Sequence, residues 1–166
     1  MGTTTFSGPV VSKAGFITGV DAVAASVTSA TLTLTSANGL ADAYNGETIP
    51  LNRAAGQAVT LPASSGSQAV YTFYIGTTIT SNSTAISVAN ATDIMQGSLL
   101  SVKATSGSTQ YNTVADSDTI TMNGSTTGGV AGSYIQVKDI STGFWLVSGV
   151  LQASSTLATP FSAAVS

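Results

Sequence analysis

Residues 49–76 read IPLNRAAGQAVTLPASSGSQAVYTFYIG, which is dense in aromatic and β-branched side chains between turn residues. This pattern predicts three strands, at residues 49–51, 58–61 and 69–75. The third strand alternates at a period of two, so one of its faces carries three large apolar side chains: Tyr71, Phe73 and Ile75. We expect this face to lie in a hydrophobic core.

The same reading extends over the rest of the chain. Further strands are predicted at residues 30–35, 85–88, 98–102, 118–122, 134–140 and 144–150. No segment shows a helical period over the length of a helix, and no internal repeat is visible in the sequence. Eight or nine short strands with turns between them predict one all-β domain, either an antiparallel β-sandwich of jelly-roll-like type or a small barrel.

Three regions are expected within this single domain. Residues 1–19 are predicted to form an extended N-terminal arm, residues 20–150 the β-sandwich, and residues 151–166 a C-terminal tail. The arm is either a docked segment or a frayed terminus. Its large apolar side chains Phe6, Phe16 and Ile17 favour docking.

Composition excludes several function classes. The chain has no Cys and no His. Disulfides, metal sites with thiolate ligands and hydrolase active sites that use His are therefore excluded. Only four basic residues, scattered along the chain, stand against seven acidic ones, so we expect no binding to nucleic acid. No cofactor or metal is expected, and we expect no enzymatic activity.

Hydroxyl groups replace charges as the polar surface, because the chain contains 24 Ser and 26 Thr. Such a surface is desolvated at lower cost than a charged one, which suits contact with other protein over a large area. No apolar run approaches the roughly 18 residues needed to cross a membrane, and the N-terminus does not resemble a signal peptide. We therefore expect a chain that is made and assembled in the cytoplasm.

Three groups of residues are candidate chemical sites. Asp116 and Asp118 could contact calcium, but no EF-hand pattern surrounds them, and a solvated loop is the favoured interpretation. Asp42 and Glu47 could act as paired carboxylates of glycosidase type, although nothing else supports this. Trp145 is expected to fill the core with its indole N–H bonded to a carbonyl, rather than to stack on a ligand.

Two segments resemble virion proteins of tailed bacteriophages, especially marine podovirus-like phages. Residues 46–63 read GETIPLNRAAGQAVTLPA, and residues 71–82 read YTFYIGTTITSN. The opening TTFSGPV, residues 4–10, is similar to the start of small phage structural proteins. The resemblance covers about half of the chain.

The resemblance implies an accessory protein of the capsid surface, which we expect to be a decoration or cement protein that stabilises the shell. Its partners would be the major capsid protein and further copies of itself, with a trimer favoured. It would be located on the virion after assembly in the bacterial cytoplasm. The expected interface residues are the larger apolar side chains of the arm and the tail: Phe6, Val10, Phe16, Ile17, Leu157 and Phe161. The alternative is a receptor- or glycan-binding module of a head or tail fibre, for which Tyr44, Tyr111 and Trp145 are the candidate aromatic residues.

Overall fold

The structure is a computed structural model and describes residues 27–35 and 43–165. Within them lie eleven strands: β1 (Thr31–Thr33), β2 (Thr48–Leu51), β3 (Ala58–Thr60), β4 (Val70–Ile75), β5 (Thr84–Ser87), β6 (Ile94–Lys103), β7 (Ser108–Asn112), β8 (Thr119–Met122), β9 (Tyr134–Ser141), β10 (Phe144–Ala153) and β11 (Phe161–Ser162). Two sheets pack against each other, so the prediction of an all-β sandwich is confirmed. The predicted arm at residues 1–19 lies outside the described residues, as does Asp42.

Both sheets are mixed rather than purely antiparallel. Sheet I has the order β1-β3-β5-β8-β11, and sheet II has the order β2-β4-β9-β10-β6-β7. Four pairs are parallel, namely β1/β3, β3/β5, β2/β4 and β6/β10. Parallel neighbours cannot be joined by a tight hairpin, so the chain must cross over between them. The prediction of two packed sheets is therefore confirmed, whereas the prediction that neighbouring strands are all antiparallel is wrong.

The first five strands alternate between the two sheets and form a flattened coil. In sheet I, the register partners Thr31, Ala58 and Ala85 are evenly spaced along the chain. In sheet II, Val27, Leu51 and Ile75 are also evenly spaced register partners. The repeat in space has a short counterpart in residue types. The register partners Leu32, Val59 and Ile86 are all apolar and buried, and so are the residues two positions later, Leu34, Leu61 and Val88. The expectation of no internal repeat missed this match.

The core lies between the sheets and is filled by alternate residues of each strand. Tyr71, Phe73 and Ile75 are each at most 2% exposed, as predicted. Trp145 of β10 is buried beside Tyr71, with ring centroids 6.0 Å apart and planes inclined by 43°. Such a tilted pair is a favourable aromatic arrangement.

Three elements differ from the prediction. β6 already begins at Ile94, four residues before the strand predicted at residues 98–102, and β7 and β11 were not predicted as strands. The predicted tail at residues 151–166 instead supplies the end of β10 and the whole of β11. Its backbone is joined to β8, because Thr121 N–H donates to Pro160 O at 2.8 Å and Asp118 N–H donates to Ser162 O at 3.0 Å. The described part of this segment thus belongs to the sandwich.

Candidate docking face

The outer face of sheet II carries a row of side chains that crosses all six strands. The row consists of successive register partners: Pro50, Tyr74, Tyr134, Val150, Leu100 and Gln110. Three members are large and exposed, since Tyr74 is 41%, Tyr134 44% and Leu100 40% accessible. We call this set the cross-strand row. It places apolar area on the surface as one continuous line.

The period of two in each strand produces this arrangement. Residues that flank the row, such as Phe73 and Ile135, point inward and are buried, so their neighbours must point outward. The next row on the same face is made only of uncharged polar residues: Thr48, Thr72, Gln136, Ser148, Ser98 and Asn112. The Gln136 amide donates to the Thr72 hydroxyl at 3.4 Å.

The outer face of sheet II is nearly free of charge. Among the outward positions of its six described strands, Lys138 is the one ionisable side chain apart from the tyrosines of the row. Leu146, its register partner on β10, is 44% exposed and adds to the apolar area. A face of this composition can be desolvated without removing charges from water. It is therefore suited to burial against another surface.

A second feature is a loop wrapped around one buried carboxylate. Asp139 of β9 is 2% exposed, and its two oxygens accept the backbone N–H groups of Ser65, Gly66 and Ser67 at 2.8 to 3.2 Å. The hydroxyls of Ser65 and Ser67 donate to the same carboxylate at 3.1 and 2.7 Å. Gly66 has φ +78°, which lets successive N–H groups converge as an anion-binding nest.

The hydrogen bonds decide the charge state of this carboxylate. Burial raises the pKa of the Asp139 carboxyl, but the Ser67 hydroxyl and the amides of Ser67, Gly66 and Ser65 outweigh it, so the pKa lies below its ordinary value. Asp139 is thus an anion held inside the protein by the loop that it organises. Its oxygens are already engaged by internal donors, which favours a structural role.

A pocket of about 830 Å³ lies beside this loop. The residues that line it include Thr33, Thr60, Ser64, Tyr71 and Trp145. The predicted hydrogen bond of Trp145 is not found, because among the described residues its Nε1 has no partner.

No protein-family model, curated protein or solved structure matches this chain. Within the described ranges, no helix is long and apolar enough to cross a membrane.

The candidate acidic sites have different outcomes. Asp118 is buried and accepts the N–H groups of Ala164 and Val165 at 2.8 and 3.0 Å, so the solvated-loop interpretation is wrong for this residue. Asp116 is exposed, as is Glu47. Residues 27–35 and 43–165 contain no cluster of three or more acidic side chains that could hold a metal ion.

The predicted interface residues are only partly described. Phe6, Val10, Phe16 and Ile17 lie outside the described residues. Leu157 is half-buried. Phe161 is 9% exposed and packs within the core of its own chain, so it offers little surface to a partner.

The aromatic residues considered for ligand binding also lie mainly inside. Trp145 and Tyr44 are buried, and Tyr111 is half-buried. Among the described aromatic residues, the exposed ones are instead Tyr74 and Tyr134, which are register partners on β4 and β9. Alternation had already placed Tyr74 opposite the core face. Its proximity to Tyr134 depends on strand register, for which the sequence holds no signal.

Proposed function

We propose that this protein is a non-enzymatic decoration or cement protein of a bacteriophage capsid, and that the outer face of sheet II docks on the major capsid protein. The observation that carries the proposal is the cross-strand row on a nearly charge-free face. The resemblance of residues 46–63 and 71–82 to virion proteins supports the choice of partner. The protein would then be located on the capsid surface after assembly in the host cytoplasm.

Docking on this face would stabilise the shell by adding buried apolar area between subunits. Completing the burial of Leu100 or Tyr134 contributes about 1 kcal/mol each, because each side chain is already more than half covered. These contributions are small for a single contact. They add up when copies linked as a homo-oligomer engage neighbouring capsid subunits together.

The double variant Leu100→Lys/Tyr134→Lys is expected to lower capsid occupancy at least tenfold. Docking would now have to bury two ammonium groups, and 1.4 kcal/mol already corresponds to a factor of ten in affinity. Occupancy is measured by adding purified protein to capsids that lack it and comparing band intensities after sedimentation. Both positions are exposed, so the fold should be retained.

Ala58→Lys is the matched control, because Ala58 is exposed on β3 in the opposite sheet. It should bind capsids like the unmodified protein. Normal occupancy of the double-lysine variant would exclude the outer face of sheet II as the docking surface.

The Tyr74–Tyr134 pair also favours a second candidate, a receptor- or glycan-binding module of a fibre. Two half-exposed phenol rings beside the Thr72 and Gln136 side chains combine an aromatic platform with neutral hydrogen-bonding groups. The copy number in purified virions distinguishes the two functions. Hundreds of copies indicate decoration, whereas a dozen or fewer indicate a fibre.

For the fibre candidate, Tyr74→Ala/Tyr134→Ala is expected to abolish binding to any neutral glycan that the unmodified protein retains on an array. Leu146→Ala, an exposed aliphatic change on the same face, is the control and should retain binding. Equal glycan binding by both variants would contradict an aromatic platform.

A further inference from the structure

The described strands leave four sheet edges, and three of them are short or protected. β1 has three residues, and β11 has two and follows Pro160 directly. β2 contains Pro50, and its edge is partly covered by Val27, whose N–H donates to Pro50 O at 2.8 Å. Short strands, proline and cover are the usual means by which proteins prevent edge-to-edge pairing.

Within residues 27–35 and 43–165, the fourth edge, β7, has none of these protections. It reads Ser108-Thr109-Gln110-Tyr111-Asn112, five residues without charge or proline, and four of them are exposed. Its single partner in the described sheets is β6. The adjoining Val114 is 66% exposed, more than the other exposed large hydrophobic residues described. β7 is thus an open and neutral strand edge beside an exposed apolar side chain.

The hydrogen-bonding direction along β7 follows from its pairing. At one end of the hairpin, Lys103 N–H donates to Gly107 O, and at the other end Thr113 N–H donates to Gly97 O. Because antiparallel pairs alternate, the backbone groups of Thr109 and Tyr111 point toward β6. Those of Ser108, Gln110 and Asn112 therefore point away from the sheet. Each offers one donor and one acceptor to a further strand.

We propose that this edge pairs with β7 of a second copy, antiparallel and about a twofold axis at Gln110. In this register Gln110 faces Gln110 of the second copy, and Ser108 faces Asn112. All three pairs are of the hydrogen-bonded type, so the outward N–H and C=O groups of both strands find partners. The two six-stranded sheets become one continuous sheet.

The properties of β7 favour a second copy as the occupant. A twofold contact brings the residue on the axis, Gln110, against its own equivalent, and a charge at this position would oppose a like charge, whereas β7 has no charge. Gln110 also ends the cross-strand row. The twofold pairing therefore joins the rows of both copies into one line and doubles the apolar surface on one side. The pairing itself requires no capsid.

Sedimentation velocity over a range of protein concentrations tests the pairing on the isolated protein. We expect a monomer–dimer equilibrium, whereas the resemblance to phage proteins favours a trimer. Gln110→Lys should shift the dissociation constant at least tenfold toward the monomer, with partial recovery at high salt, because it opposes two ammonium groups across the axis. Gln110→Pro should also be monomeric, since it removes an outward N–H.

Gln136→Lys is the control, because it makes the same change at an exposed position of the central strand β9. It should dimerise like the unmodified protein. A monomer at all concentrations, a trimer, or a Gln110→Lys variant that dimerises normally would overturn the proposal. Loss of dimer in Gln136→Lys alone would show that copies pack through the sheet faces instead.

Cross-linking gives an independent readout, because the chain contains no cysteine. Facing residues of a hydrogen-bonded antiparallel pair have Cα atoms about 5.5 Å apart, within disulfide range. Gln110→Cys should therefore form a covalent dimer under mild oxidation, and Gln136→Cys should not. Equal cross-linking of the two variants would indicate random collision and contradict the twofold pairing.

Neither experiment uses capsids, so a failure of the pairing is distinguishable from a failure of docking.

Discussion

Asp139→Asn is expected to destabilise the folded protein by about 2–4 kcal/mol at pH 7, since hydrogen bonds to a buried charged group contribute about 1.5–3 kcal/mol each. The carboxylate oxygens accept three backbone N–H groups and two hydroxyls. An amide would turn its NH₂ group toward some of these donors and leave them without an acceptor. Urea denaturation followed by tryptophan fluorescence measures the change, because Trp145 is the only tryptophan.

The pH dependence of stability should follow the lowered pKa of Asp139. A carboxyl whose pKa is lower in the folded state stabilises the protein fully above its unfolded pKa, near 3.9. That contribution is lost as the pH falls through the folded value. The difference in stability between the unmodified protein and Asp139→Asn should therefore be constant from pH 7 to about pH 5 and shrink below about pH 4.

Asp116→Asn is the control for both measurements, because Asp116 is an exposed carboxylate on a loop. Its stability should remain within about 0.5 kcal/mol of that of the unmodified protein. A similarly small change for Asp139→Asn would show that the loop at residues 64–67 does not depend on this charge.

Deletion of residues 160–166 is expected to unfold the domain or to lower its stability by more than 4 kcal/mol. Loss of the Phe161 ring from the core costs about 3–5 kcal/mol by comparison with Phe→Ala changes in other proteins. The deletion also removes the N–H donors of Ala164 and Val165 and leaves the buried Asp118 without them. Thermal unfolding by circular dichroism and limited proteolysis measure the effect.

Point variants separate the contributions of this segment. Phe161→Ala alone should cost about 3 kcal/mol, whereas Leu157→Ala, in the half-buried connection before β11, should cost about 1 kcal/mol or less. A deletion variant with a normal melting temperature would show that the segment is dispensable to the fold. It would then be free to act as the extended tail that the sequence predicts.

The sequence predicts the strands that carry large apolar side chains at a period of two. β4 and β9 are the clearest cases, because their buried positions alternate with outward ones. β7 was not predicted because four of its five residues are exposed, so its sequence has no alternation of apolar and polar side chains. β11 is only two residues long, and its place in sheet I depends on β8 and Asp118, which lie far away in the chain.

Sheet membership and the candidate docking face could not be predicted for the same physical reason. Alternation shows which side chains of one strand share a face, but the neighbour of that strand depends on long-range pairing. Tyr74 and Leu100 come to lie in one row only because β4, β9, β10 and β6 are adjacent in sheet II. The parallel pairing of β6 with β10 has no local signal, since these strands are not joined by a turn.

The order of strands in sheet II also affects how the chain can fold while it is being synthesised. β4 lies between β2 and β9, and β6 lies between β7 and β10. Each of these two strands therefore has one neighbour, β9 or β10, that is synthesised much later. At ordinary rates of translation, the edge of β4 that pairs with β9 remains without its hydrogen-bonding partner for several seconds. The nascent chain therefore presents an unpaired strand edge at β4 until β9 leaves the ribosome. Sheet II cannot be completed before β10 has been synthesised, and chaperones that shield unpaired strand edges would increase the yield of folded protein.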